Sequence, residues 1–125
     1  MAVTFHRSEG THTMEDYIVI YTTTDNKEDA QRISRELVEQ RLAACVQVTG
    51  PIQSTYRWEA QVERGEEWLC SIKSRKDLLP NVESAIRAIH PYDVPEIIAL
   101  PIVGGSTDYL AWLGDQLQPA PGDAQ

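Results

Sequence analysis

Several features that mark common protein classes are scarce or absent in this sequence. It has 2 cysteines and 1 phenylalanine among 125 residues, and Cys45 and Cys70 stand in neither a CxxC motif nor a Cys/His cluster with metal-ligand spacing. It also has no glycine-rich phosphate loop, no nucleophile elbow and no HExxH motif. The two cysteines are interpreted as buried thiols, with a disulfide as the alternative, and the sequence predicts a protein that is not an enzyme.

Long apolar runs and a targeting pattern are missing as well. No segment approaches the roughly 18 apolar residues of a membrane span. The N-terminus has neither the basic nor the apolar region of a signal peptide, and we therefore expect a cytoplasmic location.

Positive charge is in short supply. Lys and Arg number 11 against 19 Asp and Glu, which gives a formal net charge of −8. An acidic surface repels phosphate backbones and anionic lipid headgroups. The composition therefore argues against nucleic acid and membranes as partners, including the RNA-recognition use of the sheet predicted below.

The length and the pattern of the chain predict one domain. Hydrophobic residues make up 42% and charged residues 24% of the sequence, which is ordinary globular usage. Residues 1–13 are polar and aperiodic and precede a second methionine, so they are predicted to be a disordered extension. Residues 14–118 form the predicted domain, and residues 119–125 a flexible tail.

Hydrophobic periodicity predicts a β-α-β-β-α-β order followed by a short helix. This is the ferredoxin-like α+β plan, an antiparallel sheet with both helices on one face. The second and third strands form a long hairpin, with a bend at Gly50-Pro51 and a turn at Glu63–Glu66. The predicted elements are a strand at 17–24, a helix from Asp25 to about Leu42, strands at 44–58 and 67–74, a helix at 77–90, a strand at 97–103 and a helix at 107–117.

Two of the predicted strands are apolar on both faces. A sheet covered by helices on one side should alternate apolar and polar residues, yet Tyr17–Tyr21 and Ile97–Val103 do not. Something must cover the second face. A further subunit is the economical solution, and the alternative is that the C-terminal helix folds across part of it.

Four segments together resemble the CutA family of divalent-cation tolerance proteins. They are IVIYTTTDNKEDA, RLAACVQV, STYRWEAQVERGEEWLCSIKS and HPYDVPEIIALPIVGGSTDYLAWL, and the match covers about residues 16–117. The resemblance implies a homotrimer similar to the PII signalling proteins, whose long hairpins reach across to neighbours. It also implies a role in copper or other divalent-metal tolerance with no established catalytic reaction.

The resemblance points to two residues as metal contacts. His90 falls on the histidine of the family's HPY motif, and Cys45 matches the cysteine of its LAAC segment. A thiolate suits a soft ion such as Cu(I). The alternatives are that His90 bonds the last carbonyls of its own helix and that Cys45 is a small buried residue. Some members carry further proposed ligands where this chain has Ile89 and Tyr21.

The same resemblance points to a cleft between subunits. Tyr56, Trp58, Lys73 and Tyr92 combine aromatic and cationic side chains in regions that the family plan brings together. They suit a small anionic or aromatic ligand, or else they pack an oligomer interface, where Tyr and Trp are enriched. Two functions follow as hypotheses: a trimer that binds copper or another divalent metal, and a PII-like small-molecule sensor or scaffold without physiological metal binding.

The resemblance also singles out one turn residue. The family usually has glycine after Trp-Glu, whereas this chain has Ala60. The backbone at this position is expected either to avoid positive φ or to bear a small strain.

Overall fold

The computed structural model describes residues 16–119. The predicted extension at 1–13 lies outside the described residues, as does the predicted tail at 119–125 apart from Pro119. A 3-10 turn at Lys76–Leu78 leads into the second helix. The strands and helices are β1 (Tyr17–Thr24), α1 (Lys27–Glu39), β2 (Cys45–Trp58), β3 (Gln61–Arg75), α2 (Leu79–Ile89), β4 (Ile98–Pro101) and α3 (Thr107–Gln116).

The four strands form one antiparallel sheet in the order β2-β3-β1-β4. This order and the β-α-β-β-α-β sequence confirm the ferredoxin-like α+β fold. Helices α1 and α2 pack against each other on one face of the sheet. No helix within residues 16–119 is both long enough and apolar enough to cross a membrane.

The hydrophobic core lies between the sheet and these two helices. Side chains alternate between the faces of a strand, and every second residue of β1 and β3 points at the helices. The Cys70 thiol lies 3.7 Å from the carbonyl of Ala30, and the Ser74 hydroxyl donates to the carbonyl of Leu42 at 2.6 Å. The fully buried core side chains include Ile20, Ile33, Leu37, Ile72, Leu78, Val82 and Ile86.

Helix α1 is shorter than its apolar stripe predicts. The Asn26 side chain, not Asp25, caps it by accepting from the Asp29 N–H at 2.8 Å. The helix ends at Glu39 because Arg41 adopts φ 59° and lets the Leu42 N–H bond the Leu37 carbonyl. This left-handed residue after the last turn is a common helix terminator.

The hairpin of β2 and β3 is longer than predicted, and its turn lies elsewhere. Trp58 pairs with Gln61, so the connection is the two-residue Glu59-Ala60, while the predicted turn at Glu63–Glu66 is part of β3. Glu59 and Ala60 have φ values of 49° and 67°, as a tight hairpin turn requires. The segment Glu63–Glu66 is charged and has a low β-propensity, but it forms a strand because it pairs with β2.

The bend predicted at Gly50-Pro51 is confirmed as a bulge. The register shifts between Thr49 and Ile52, where proline has no N–H to give to the ladder. Glycine fits here because a β-carbon at Gly50 would lie 2.4 Å from the Trp68 ring. The indole packs against the backbone at the point where the hairpin leaves the body of the sheet.

Within residues 16–119, the second face of the sheet is covered at one end only. Helix α3 lies over this end, because a β-carbon at Gly114 would approach the Tyr17 hydroxyl to 2.3 Å and Arg41 donates to the carbonyl of Gln116 at 2.9 Å. Away from α3, Ile98 is 50% and Leu100 is 45% exposed on this face. The alternative of a covering C-terminal helix therefore accounts for part of the face, and the described residues leave the rest apolar and open.

Candidate functional site

His90 sits at the junction of α2 and the segment that leads to β4. Its backbone N–H donates to the carbonyl of Ile86 at 2.8 Å, which closes the helix. The segment begins with proline, so the chain cannot continue as helix and turns back across the end of β1. This places the imidazole ring of His90, a residue that is 9% exposed, beside the last residues of β1.

Both ring nitrogens of His90 have hydrogen-bond partners. Nε2 lies 2.8 Å from the carbonyl oxygen of Thr23, and Nδ1 lies 3.1 Å from the backbone N–H of Tyr92. Because a carbonyl can only accept and an amide N–H can only donate, the ring is the neutral tautomer protonated on Nε2. A metal ion could reach Nδ1 only if the Tyr92 N–H gave up its bond.

Tyr92 connects this histidine to the base of the hairpin. The rings of Tyr92 and His90 lie 4.8 Å apart at 62°, an edge-to-face contact. The Tyr92 hydroxyl donates to Oε2 of Glu67 at 2.8 Å, and the Ser54 hydroxyl donates to Oε1 of the same carboxylate at 2.6 Å. Burial, and next the bond to Glu67, raise the pKa of Tyr92 well above its usual value.

Tyr56 lies next to this network. It stands two residues after Ser54, so both side chains are on the same face of the hairpin, and its hydroxyl is 3.7 Å from the position of a β-carbon on Gly65. Tyr56 and Asp25 both lie close enough to raise the pKa of the Tyr92 hydroxyl. Ser54, Tyr56, Glu67 and Tyr92 are called the Glu67 cluster below.

The other predicted site residues lie away from the cluster. Cys45 is half-buried with a free thiol and pairs with Lys73, whose ammonium donates to the Gln47 side chain at 2.6 Å. Lys73 in turn pairs with Val19, four residues along β1 from Thr23. That spacing is about 13 Å, so the single chain does not bring Cys45 and His90 together.

Trp58 is also separate, at the far end of the hairpin beside the Glu59-Ala60 turn, where it is 62% exposed. Among residues 16–119, no three His, Cys, Asp or Glu side chains are grouped so that they could hold a metal ion. The predicted metal contacts at His90 and Cys45 stay predictions, and neither has a ligand set among the residues that the structure describes.

Sequence reasoning missed two members of the Glu67 cluster. The sequence pattern identifies Glu67 only as the first residue of a predicted strand, and it does not mark Ser54. No local pattern identifies them, because Ser54 and Glu67 meet through hairpin register and Tyr92 arrives from a segment 25 residues further along the chain.

The family model of the CutA1 divalent ion tolerance protein matches residues 18–116. The chain belongs to the CutA1 family. A divalent-cation tolerance protein CutA from Thermus thermophilus is 42% identical over 100 residues, which are 80% of this chain and 95% of that protein. The crystal structure of CutA1 from Oryza sativa superposes with a TM-score of 0.83 at 40% identity, over 86% of this chain and 100% of that chain.

Some CutA relatives are considerably longer than the matched domain. A chloroplastic CutA 1 from Oryza sativa is 45% identical over 107 residues, which are 86% of this chain but 60% of that protein. A chloroplastic CutA from Arabidopsis thaliana is 46% identical over 96 residues, which are 77% of this chain and 53% of that protein. The chain thus spans little more than half the length of these relatives.

The predicted cytoplasmic location is wrong, because relatives of this chain are named for other compartments. The relatives from Oryza sativa and Arabidopsis thaliana are named chloroplastic. A solved structure from Archaeoglobus fulgidus, with a TM-score of 0.79 and 34% identity over 82% of this chain and 99% of that chain, is described as a periplasmic divalent cation tolerance protein. These relatives are named for different compartments, so a CutA1 sequence pattern does not indicate one.

Proposed function

We propose that this CutA1-family chain forms a homotrimer that binds a small ligand in clefts between subunits, and that it takes part in divalent-cation tolerance by binding rather than by catalysis. The observation that carries the proposal is the open apolar face of the sheet. Ile98 and Leu100 are half exposed there, beside the partly buried Val19 and Tyr21. Subunit contact on this face would remove apolar surface from water, a favourable change of roughly 25 cal/mol per Å².

The projecting hairpin supports the cleft. Beyond the bulge at Gly50-Pro51, β2 and β3 continue as a two-stranded ribbon that carries the exposed Tyr56 and Trp58. An isolated two-stranded ribbon is marginally stable in water, so contact with a neighbouring subunit is the expected environment for these rings. The Glu67 cluster lies at the base of the ribbon, where a neighbouring subunit would form the opposite wall.

Oligomeric state is the first test. Light scattering should give about three times the chain mass of 14.1 kDa. Leu100→Asp should shift the protein toward monomer, because it places a charge on the open face. Val38→Asp is the matched control, because Val38 is 43% exposed, almost the same as Leu100, but lies on α1 in the helix layer. A wild-type mass near that of one chain would contradict the proposal.

A divalent metal ion, copper included, is the second candidate ligand. One observation favours it: Tyr92 joins an imidazole and a carboxylate, those of His90 and Glu67, in one hydrogen-bonded network. We expect calorimetric titration with Cu(II) or Zn(II) to show binding that His90→Ala weakens, because the variant lacks the imidazole ligand. In the wild type, Nδ1 of the ring would have to release the Tyr92 N–H to bind the metal. Cys45→Ser should weaken the binding of Cu(I), because serine cannot supply a thiolate ligand. Identical isotherms for the wild type and both variants would remove both residues from any metal role.

A further inference from the structure

The Glu67 cluster presents a negative charge that the described chain does not neutralise. In residues 16–119 the ion pairs are Arg75 with Asp77 and Arg87 with Glu83, and Glu67 belongs to neither. The Ser54 and Tyr92 hydroxyls each donate to one oxygen of the carboxylate, but a hydroxyl brings no positive charge. A carboxylate has about four acceptor positions, so two are left for a further donor.

The surroundings of the cluster are negative as well. The carboxylate of Asp25, the residue after β1, and that of Glu67 both raise the pKa of the Tyr92 hydroxyl. Lys73, the cationic member of the predicted cleft, lies on β3 six residues from Glu67, and its ammonium donates to the Gln47 side chain. Six residues of strand span about 20 Å, so Lys73 would not reach an anionic ligand bound at Tyr92.

Aromatic surface stands beside this charge. Tyr92 is half-buried against His90, whereas Tyr56 is 48% exposed and lies on the same hairpin face as Ser54. Trp58 also lies on that face, but nearer the tip of the hairpin and outside the cluster. A carboxylate next to aromatic rings is the arrangement that recognises ammonium groups, because the ring face and the carboxylate both attract a weakly hydrated cation.

We propose that the Glu67 cluster binds a small organic cation, a protonated amine or a quaternary ammonium group, with Glu67 as its counter-ion and Tyr56 and Tyr92 as its aromatic walls. The proposal rests on the inter-subunit cleft proposed above and gives that cleft a ligand class. A hard metal ion fits less well, because Mg²⁺ and Ca²⁺ require six or more oxygen ligands and gain little from aromatic rings.

Choline chloride is a suitable probe, since 3,3-dimethylbutan-1-ol has the same shape without the charge. We expect calorimetric titration of the wild-type protein to give saturable choline binding with a dissociation constant on the order of 1 mM. The neutral isostere, butyrate and MgCl₂ should give no saturable heat. Glu67→Gln keeps the size of the side chain and an acceptor for one hydroxyl but removes the charge, and it should weaken choline binding at least tenfold.

Glu83→Gln is the matched control. It removes an equal charge from an exposed position on α2 and should leave choline binding unchanged. Light scattering and thermal unfolding of each variant would show that it is assembled and folded. Equal choline binding by Glu67→Gln and the wild type, or no binding by a trimeric wild type, would overturn the proposal. Saturable binding of MgCl₂ or butyrate without choline would refute the ligand class while leaving the cleft in place, whereas a monomeric wild type would refute the cleft itself.

Discussion

Two buried threonines on β1 provide a sharp test of how polar groups contribute to the stability of this fold. Thr22 and Thr24 are both 0% exposed and lie two residues apart on the same strand face. The Thr24 hydroxyl donates to the carbonyl of Asn26 at 2.6 Å. The Thr22 hydroxyl has no hydrogen-bond partner among the described residues. Valine has almost the same shape as threonine, so replacing each residue in turn isolates the hydroxyl group.

The two substitutions should change the free energy of unfolding in opposite directions. A buried hydroxyl without a partner costs about 1–3 kcal/mol in desolvation, and Thr22→Val removes that cost. The methyl group that replaces the hydroxyl adds about 0.8 kcal/mol of apolar burial. The two contributions add, so we expect Thr22→Val to stabilise the protein by about 2–4 kcal/mol. Thr24→Val gains the same methyl group but loses a satisfied bond and takes that donor from the Asn26 carbonyl, which together cost about 1–3 kcal/mol, so it should destabilise the protein by about 1 kcal/mol.

Urea denaturation of the wild type and both variants measures the difference. All three must be compared at one chain concentration, because the stability of an oligomer depends on it. Equal slopes with shifted midpoints would show that only stability has changed. Destabilisation by Thr22→Val would refute the reasoning, since it would mean that the hydroxyl makes a favourable interaction in the folded state. A change of the same sign and size in both variants would refute it equally.

The remaining predictions concern the hairpin turn and the buried thiol. Ala60→Gly should stabilise the protein by about 0.5 kcal/mol, because glycine relieves a left-handed strain of roughly 1–2 kcal/mol but increases the conformational entropy of the unfolded chain. The control Ala85→Gly, within α2, should destabilise the protein by about 1 kcal/mol. If Ala60→Gly gave no gain in stability, the turn would be unstrained. In the folded protein a thiol reagent at pH 8 should modify the half-buried Cys45 before Cys70, because burial raises the pKa of the Cys70 thiol to about 11, and equal rates would contradict this. Because the folded state disfavours the Cys70 thiolate, the protonated Cys70 thiol contributes fully to stability below about pH 9, and this contribution is lost as the pH rises through about 11. Urea midpoints measured against pH should therefore fall less steeply in the alkaline range for Cys70→Ala than for the wild type.

Much of the fold follows from local signals in the sequence. The β-branched run of β1, the apolar stripes of α1 and α2 and the proline after α2 each identify an element without knowledge of the others. The two-sided apolar character of β1 and β4 also predicted a face that the helices do not cover, and Leu100 lies exposed on that face. Element ends were less predictable. The turn at Glu59-Ala60 is determined by pairing across the ribbon, and alanine gives no hint of the positive φ it adopts there.

The candidate site was predictable only in part. His90 and Tyr92 stand out as members of the HPY motif, and Tyr56 as an aromatic residue of the hairpin. Their roles depend on partners distant in the chain, because Thr23 occupies one nitrogen of His90 and Glu67 accepts from Tyr92. Lys73 is a member of the same predicted group, but it lies six residues from Glu67 along β3 and bonds Gln47, so it is not part of the Glu67 cluster.

Periodicity and charge balance by themselves determined the α+β class, the order of elements and the acidic surface, because these properties depend on neighbours a few residues apart. Membership of the CutA1 family was likewise evident from contiguous segments, which the match to residues 18–116 confirms. Only the tertiary structure decided that both nitrogens of His90 are hydrogen-bonded and that Ser54, Glu67 and Tyr92 converge. Hydrogen bonds between residues tens of positions apart are set by strand register and by the path of the segment after α2, which no local pattern of residues encodes.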